Sequence, residues 1–194
     1  MYPEIMAHLT SMEQTNSLSA EFKRLAAEAG ELARRLAPDE WNRRADAGSW
    51  SVAEHIEHLT LTTEALLPRL DQARRQAPPA AGSAFRTRWM ERLLLWYLEP
   101  PYRRGARTSP AFEPLVGRAA GQVLPRFAES QAQLEMYVQN AVGLALDRVR
   151  VVSPFRAGLK YSAWAALLIL AAHQRRHLWQ AGRLRDRIRS QARS

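Results

Sequence analysis

Apolar residues recur every three or four positions along four long stretches of the chain, which is the spacing of amphipathic α-helices. These stretches cover about residues 12–36, 51–76, 121–146 and 162–189. Pro38 closely follows the first stretch, and Ser51 with Glu54 forms a capping-box pattern at the start of the second. Four helices of about 25 residues, each about 37 Å long at 1.5 Å per residue, predict an all-α fold, a four-helix bundle.

The connections between these helices predict their arrangement. The first connection is fairly short, so we expect the first two helices to be antiparallel neighbours. The second, at about 78–120, is too long for a bare loop and contains an apolar piece, Trp89–Leu98. Trp89, Leu93 and Trp96 share one face of that piece if it is helical. We interpret it as a helical insert between helices 2 and 3, docked on the bundle or in a homodimer contact, because under three turns is short for a membrane-surface helix.

The length and the termini set the class of protein. A chain of 194 residues fits a single domain, 1–194, with a core at about 12–190. The longest nearly uninterrupted apolar run, 161–172, is shorter than the roughly 18 residues of a membrane span, so no transmembrane segment is expected. The N-terminus lacks the basic and apolar regions of a secretory signal. We therefore expect a cytoplasmic protein.

The charge balance is strongly basic, with 28 Lys+Arg against 19 Asp+Glu and a formal net charge of +9. Among the cations only Lys23 and Lys160 are lysines, so the excess reflects an Arg-rich composition along the whole chain. No helix-turn-helix, zinc-finger or RNP-type motif is visible, and basic and aromatic residues do not interleave as on a single-strand binding platform. The sequence therefore argues against nucleic acid as a partner.

The chain contains no cysteine, which limits the kinds of metal site, cross-link and nucleophile that it can form. This absence excludes disulfide frameworks, Cys-ligated zinc, iron–sulfur clusters and a thiol nucleophile, so a metal site must rest mainly on His, Asp or Glu. The chain has five histidines, which are His8, His55, His58, His173 and His177.

Two of these histidines lie on the fourth helix. His173 and His177 are one turn apart on the same face, the spacing with which one helix offers two nitrogens to a single metal ion. Gln174 stands where a HExxH zinc protease carries its glutamate, which excludes that class. Gln180 follows on the same stripe, where it can orient a ligand.

Two more histidines lie at the start of the second helix. A bundle builds metal sites from side chains on facing helices, and one of these residues with the pair on the fourth helix gives a three-nitrogen site. Such a site keeps positions open for water, which is the catalytic pattern for zinc. Periodicity does not choose between the two, since His55 lies nearer the centre of the Val52, Leu59 and Leu66 stripe and His58 lies at its margin.

Two motifs resemble those of one family. The segment Trp50–Leu59 resembles the WS(V/A)xExxxHL signature of the second helix of DinB-like proteins, a superfamily of small metal-binding four-helix bundles. The segment 172–180 resembles the HxxxH(L)xQ signature of their last helix, and the likeness extends over about residues 12–190. In the family pattern the ligands are the histidine before leucine, here His58, and the pair His173 and His177.

The resemblance also implies a range of activities. DinB-like bundles include thiol-dependent transferases, a thiol-dependent isomerase and metal-dependent hydrolases, with zinc or nickel in the three-histidine site. We therefore expect a divalent metal ion (Zn or Ni) and a small-molecule substrate, with a thiol among the candidates. A thiol would have to come from the substrate, since the chain has none. The alternative is a non-catalytic stress-response or binding bundle with a structural or vestigial metal site.

The sequence offers few other catalytic groups. Glu54 and Glu57 are the carboxylates closest to His58 along the chain, but their helical angles place them on the outer side. We interpret them as capping and solvated residues and name no general base. Arginines near the site are candidates for holding a substrate carboxylate, and these are Arg103, Arg104 and Arg156.

Overall fold

The computed structural model describes residues 8–101 and 108–191, and within these ranges the chain forms five α-helices and one small hairpin. The helices are α1 (Ser11–Arg34), α2 (Val52–Arg75), α3 (Trp89–Leu98), α4 (Ala120–Asn140) and α5 (Ala163–Gln191). A 3₁₀ turn covers Pro110–Phe112, and the strands β1 (Arg150–Val152) and β2 (Lys160–Ser162) pair antiparallel. The fold is all-α, as the sequence predicts, with the hairpin as a small addition.

Helices α1, α2, α4 and α5 form the bundle. Both α1 and α2 pack against α4 and against α5, so α1 and α2 occupy opposite corners. The prediction that they are neighbours is therefore wrong, although they do run antiparallel. The 35–51 connection is long enough to cross the diagonal, and it is fixed there by the buried Trp41, whose indole N–H donates to the Arg118 carbonyl.

The second connection has to reverse the chain twice, because α2 and α4 are parallel neighbours. Arg126 near the start of α4 pairs with Glu57 near the start of α2, and the hydroxyl of Tyr137 donates to the Leu70 carbonyl near the other end. Two parallel helices need a connection about as long as themselves. The insert supplies that length, and it adds α3 to the outside of the bundle against α5.

Helix α3 has the bounds that its apolar pattern predicts. Its inward face carries Leu95 and the Glu91 carboxylate, both buried, and Glu91 accepts hydrogen bonds from the Ser162 and Arg88 backbone N–H groups. The outward face carries Trp89 and Leu93, which are 73% and 53% exposed. The insert is thus docked on the bundle and keeps an apolar face outside.

The first half of α5 is the centre of the core. Every residue from Ala163 to Ala172 is buried, which agrees with an apolar pattern around the whole circumference. In the hairpin just before α5, the paired residues Val151 and Tyr161 are both buried. Among the described residues no helix is long and apolar enough to cross a membrane.

Candidate metal centre

The candidate site forms where the start of α2 faces the middle of α5. The start of α2 is fixed by a capping box, in which Glu54 N–H donates to the Ser51 hydroxyl and the Glu54 carboxylate accepts from Ser51 N–H at 2.8 Å. One turn further along, the His58 side chain points towards α5. His173 and His177, one turn apart on α5, meet it there.

The three imidazoles are close together. The Nε2 atoms of His58 and His173 are 3.2 Å apart, and the ring centroid of His177 lies 4.6 Å from that of His58 and 4.5 Å from that of His173. Each ring offers one nitrogen such that all three nitrogens lie within 4.8 Å of one another. Two nitrogens on one tetrahedral zinc ion with bonds of 2.0–2.1 Å would be about 3.3 Å apart, so the donor set fits a single ion.

A backbone carbonyl from the insert orients the first of these rings. His58 Nδ1 lies 2.8 Å from the Phe112 carbonyl oxygen, and because a carbonyl only accepts, Nδ1 carries the proton. The Nε2 lone pair of the neutral ring therefore points to the site, which is the usual way in which a neighbouring acceptor fixes the tautomer of a metal-binding histidine. Sequence reasoning missed Phe112, since a carbonyl supplied by a distant loop leaves no pattern in the sequence.

The second histidine of α2 has a different position. His55 is buried, and its Nδ1 lies 3.0 Å from Nδ1 of His177. Trp50 covers this pair, with its ring stacked on His177 at a centroid distance of 5.8 Å and its edge against His55 at 5.5 Å. The group of three therefore contains His58, and His55 contacts it from the side.

Burial keeps these rings neutral. It lowers the pKa of His55 to about 4 and lowers that of His58, where the hydrogen bond to the Phe112 carbonyl partly opposes it. Burial also lowers the pKa of His173 and of His177 far below the usual value, and the positive charge of Arg176 adds to this effect. Neutral imidazoles offer lone pairs without first losing a proton, which is the form that metals bind.

The family model of the DinB superfamily matches residues 21–181 of the chain. The chain belongs to the DinB superfamily. The matched segment contains the three clustered histidines of this DinB protein and both of its signature motifs. No significant match to a curated protein or to a solved structure was found.

The two glutamates near the centre of this DinB protein are engaged in ion pairs. Glu54 pairs with Arg44, and Glu57 accepts from Arg126 at 2.9 Å. The sequence-based interpretation of Glu54 as a capping residue is confirmed, but the expectation that both are solvated is wrong, since they are 2% and 1% exposed. Arginines from outside the helix cover the outer side of α2, and periodicity within one helix does not show that.

The three histidines line a cleft of about 1300 Å³. Its walls are largely apolar and come from the start of α2, the insert, the hairpin loop and α5, and they include Trp50, Leu94, Tyr97, Leu98, Phe112, Phe155 and Trp179. Arg156 and Gln180 also line this cleft, whereas Arg103 and Arg104 lie outside the described residues. A volume of this order accommodates a small molecule.

Proposed function

We propose that this DinB protein is a metal-dependent enzyme that acts on a small molecule, as a hydrolase or as a thiol-dependent transferase, with His58, His173 and His177 as ligands of one zinc or nickel ion. The observation that carries the proposal is the convergence of three imidazoles on a largely apolar cleft. Sites that use only three protein ligands are typical of catalysis, since a structural zinc site usually has four.

The chain's own residues supply binding and orientation. A divalent ion held by the three histidines would act as a Lewis acid, which polarises a carbonyl group and lowers the pKa of water or of a thiol. Glu54 is unsuited to proton transfer: burial works to raise its pKa, but the hydrogen bonds from Arg44 and Ser51 outweigh it and lower that pKa overall. Glu113 lines the cleft beside Phe112 and has no ion pair among the described residues, so it is our candidate for accepting a proton.

Arg156 is our candidate for substrate orientation. It lies in the hairpin loop next to Phe155, whose ring is 6.5 Å from that of His173, and no carboxylate of the described residues pairs with it. A guanidinium in this position can form two hydrogen bonds to a substrate carboxylate. We therefore propose a substrate with an apolar body and an anionic group.

Metal analysis of untagged protein tests the ligand set. We expect about one divalent ion per chain in wild type, stabilising the fold by about 2.7 kcal/mol at a free concentration 100 times its Kd. His58→Ala and His173→Ala should lose both the ion and the stabilisation, while the matched control His8→Ala, outside the cluster, should keep them. Unchanged metal content in the first two variants would refute the assignment.

Cobalt substitution separates the two reaction classes. Binding of a thiol as a ligand of Co²⁺ gives a thiolate-to-metal charge-transfer band, which a transferase that activates thiols should show and a hydrolase need not. Hydrolysis of ester or amide substrates without any added thiol would favour the hydrolase. That activity should be reduced in Glu113→Gln, and adding a thiol should not restore it. Metal binding without turnover in either assay would favour the non-catalytic bundle.

The outward face of α3 leads to a further proposal, a homodimer. Trp89, Met90 and Leu93 are each more than half exposed, and contiguous apolar surface of this kind commonly marks a protein contact. Both acidic residues of this segment, Glu91 and Glu99, are buried in contacts with the bundle, so they do not interrupt the apolar face.

The cytoplasmic location stays a prediction from the sequence.

A further inference from the structure

We infer that His55 is a positioning residue, which holds His177 in the tautomer that binds metal through Nε2. This inference rests on the proposed metal site. His55 lies outside the group of three histidines, and its Nδ1 atom contacts Nδ1 of His177.

The contact restricts where protons can lie. Two ring nitrogens 3.0 Å apart form a hydrogen bond only if one carries a proton and the other offers a lone pair. If His177 binds metal through Nε2, its proton is on Nδ1 and His55 Nδ1 accepts it. His55 must then be neutral with its own proton on Nε2.

The same arrangement already exists at the neighbouring ligand. His58 Nδ1 donates to the Phe112 carbonyl, which leaves Nε2 facing Nε2 of His173. With His55 as the acceptor for His177, two of the three rings have Nδ1 occupied by a protein acceptor. His177 then has Nε2 free to complete the group of three nitrogens.

The surroundings of His55 keep the contact intact. His55 is 8% exposed, so water has little access to replace its hydrogen bond. The Trp50 ring packs against both His55 and His177, which restricts the rotation of the two imidazole rings. The capping box at Ser51 fixes the first turn of α2, from which His55 projects.

Zinc affinity in two matched variants tests the inference. His55→Leu removes the hydrogen-bond acceptor and fills its place with an apolar side chain of similar size. In His55→Asn the amide oxygen lies close to the original Nδ1 position and can still accept the hydrogen bond. Loss of an orienting partner typically lowers metal affinity by about 10–100-fold. We expect that loss for His55→Leu in competition with a chelator, and a Kd close to wild type for His55→Asn.

A second measurement needs no variant. In zinc-loaded wild type, ¹⁵N spectra of the imidazoles should show His177 protonated at Nδ1 and metal-bound at Nε2. Metal bound to Nδ1 of His177 would overturn the inference even if His55→Leu failed to fold.

The other outcomes are distinct. Equal zinc affinity in His55→Leu and wild type would show that His55 does not position the ligand. Equal losses in both variants, with four imidazoles around zinc by X-ray absorption, would make His55 a ligand and overturn the inference. Failure of wild type to bind any divalent ion would refute the proposed function itself.

Discussion

Glu54 shows how one residue near the site is committed to structure. Its buried carboxylate accepts from Ser51 N–H and pairs with Arg44, which links the start of α2 to the preceding connection. Because these contacts lower the pKa of Glu54 below its value in the unfolded chain, the ionised carboxylate stabilises the fold. This stabilisation is present above the unfolded pKa, about 4.3, and is lost as the pH falls through the folded pKa.

Acid denaturation of Glu54→Gln tests this role. At pH 7 we expect the variant to be less stable by about 1–2 kcal/mol, the usual size of a lost cap or a charged hydrogen bond. The free energies of unfolding of variant and wild type should approach each other as the pH falls below the unfolded pKa of about 4.3, and should coincide below the lowered pKa of the folded protein. Glu129→Gln, at an exposed carboxylate with no ion pair among the described residues, is the control and should follow wild type throughout. A difference that is independent of pH would contradict the assignment.

The spacing of His173 and His177 makes them a candidate ligand pair in the sequence, and the histidines on the facing helix and the family pattern strengthen that prediction. Periodicity does not choose between His55 and His58, because the choice depends on a few degrees of helix rotation and on a carbonyl from the insert. The family pattern points to His58, and the structure brings His58 into the group. Trp50 belongs to the recognisable motif, but its packing on three histidines follows only from the tertiary structure.

At the level of the helices, the docking of the insert on the bundle depends on Arg175. This side chain donates to Glu21 on α1 at 2.7 Å and to Glu99 at the end of α3 at 3.0 Å. Arg175, Glu21 and Glu99 are all mostly buried, and Glu21 also pairs with Arg24, so the loss of Arg175 would fall mainly on Glu99. The insert is therefore fastened to the bundle at Glu91 by the Ser162 backbone N–H and at Glu99 by Arg175, and it forms a wall of the cleft.

Replacing Arg175 with alanine should lower the free energy of unfolding substantially. Two buried carboxylates would lose a partner, and removal of one member of a buried ion pair typically costs about 3–5 kcal/mol. Arg34→Ala is the matched control, since the Arg34–Glu31 pair is exposed and such pairs contribute at most about 1 kcal/mol. Denaturant titration measures the free energy of unfolding of both variants. Similar costs in the two variants would show that the Arg175 cluster does not fasten the insert.

The element bounds were largely predictable, and their arrangement was not. Helix α3 begins and ends where its apolar pattern does, and the α5 pattern correctly indicated that the first half of this helix is buried. The diagonal placement of α1 and α2 did not follow, because the length of a connection limits distance but does not distinguish a neighbour from an opposite corner. The anchors of α3 join residues more than 70 positions apart, such as Glu91 and Ser162 or Glu99 and Arg175, which no local pattern reports.

Across the whole molecule, several arginines are engaged in contacts within the protein. In the Arg-rich C-terminal part, Arg175 and Arg189 pair with carboxylates of other segments, and Arg176 and Arg183 lie over aromatic rings. Cations in such contacts are less available to phosphates.

The apolar face of α3 gives a prediction about assembly. We expect wild type to sediment as a dimer at micromolar concentration and Leu93→Asp to sediment as a monomer, because a charge would be buried in the contact. Met136→Asp is the control, since Met136 is also exposed, at 57%, but lies on α4. A wild-type protein that stays monomeric at all concentrations would refute the dimer.

The most direct test of the metal centre is a crystal of untagged, zinc-loaded protein measured across the zinc absorption edge. We expect one anomalous peak per chain, within bonding distance of Nε2 of His58, His173 and His177, facing the cleft. A peak elsewhere, or none at a zinc concentration that saturates binding sites of this type, would contradict it.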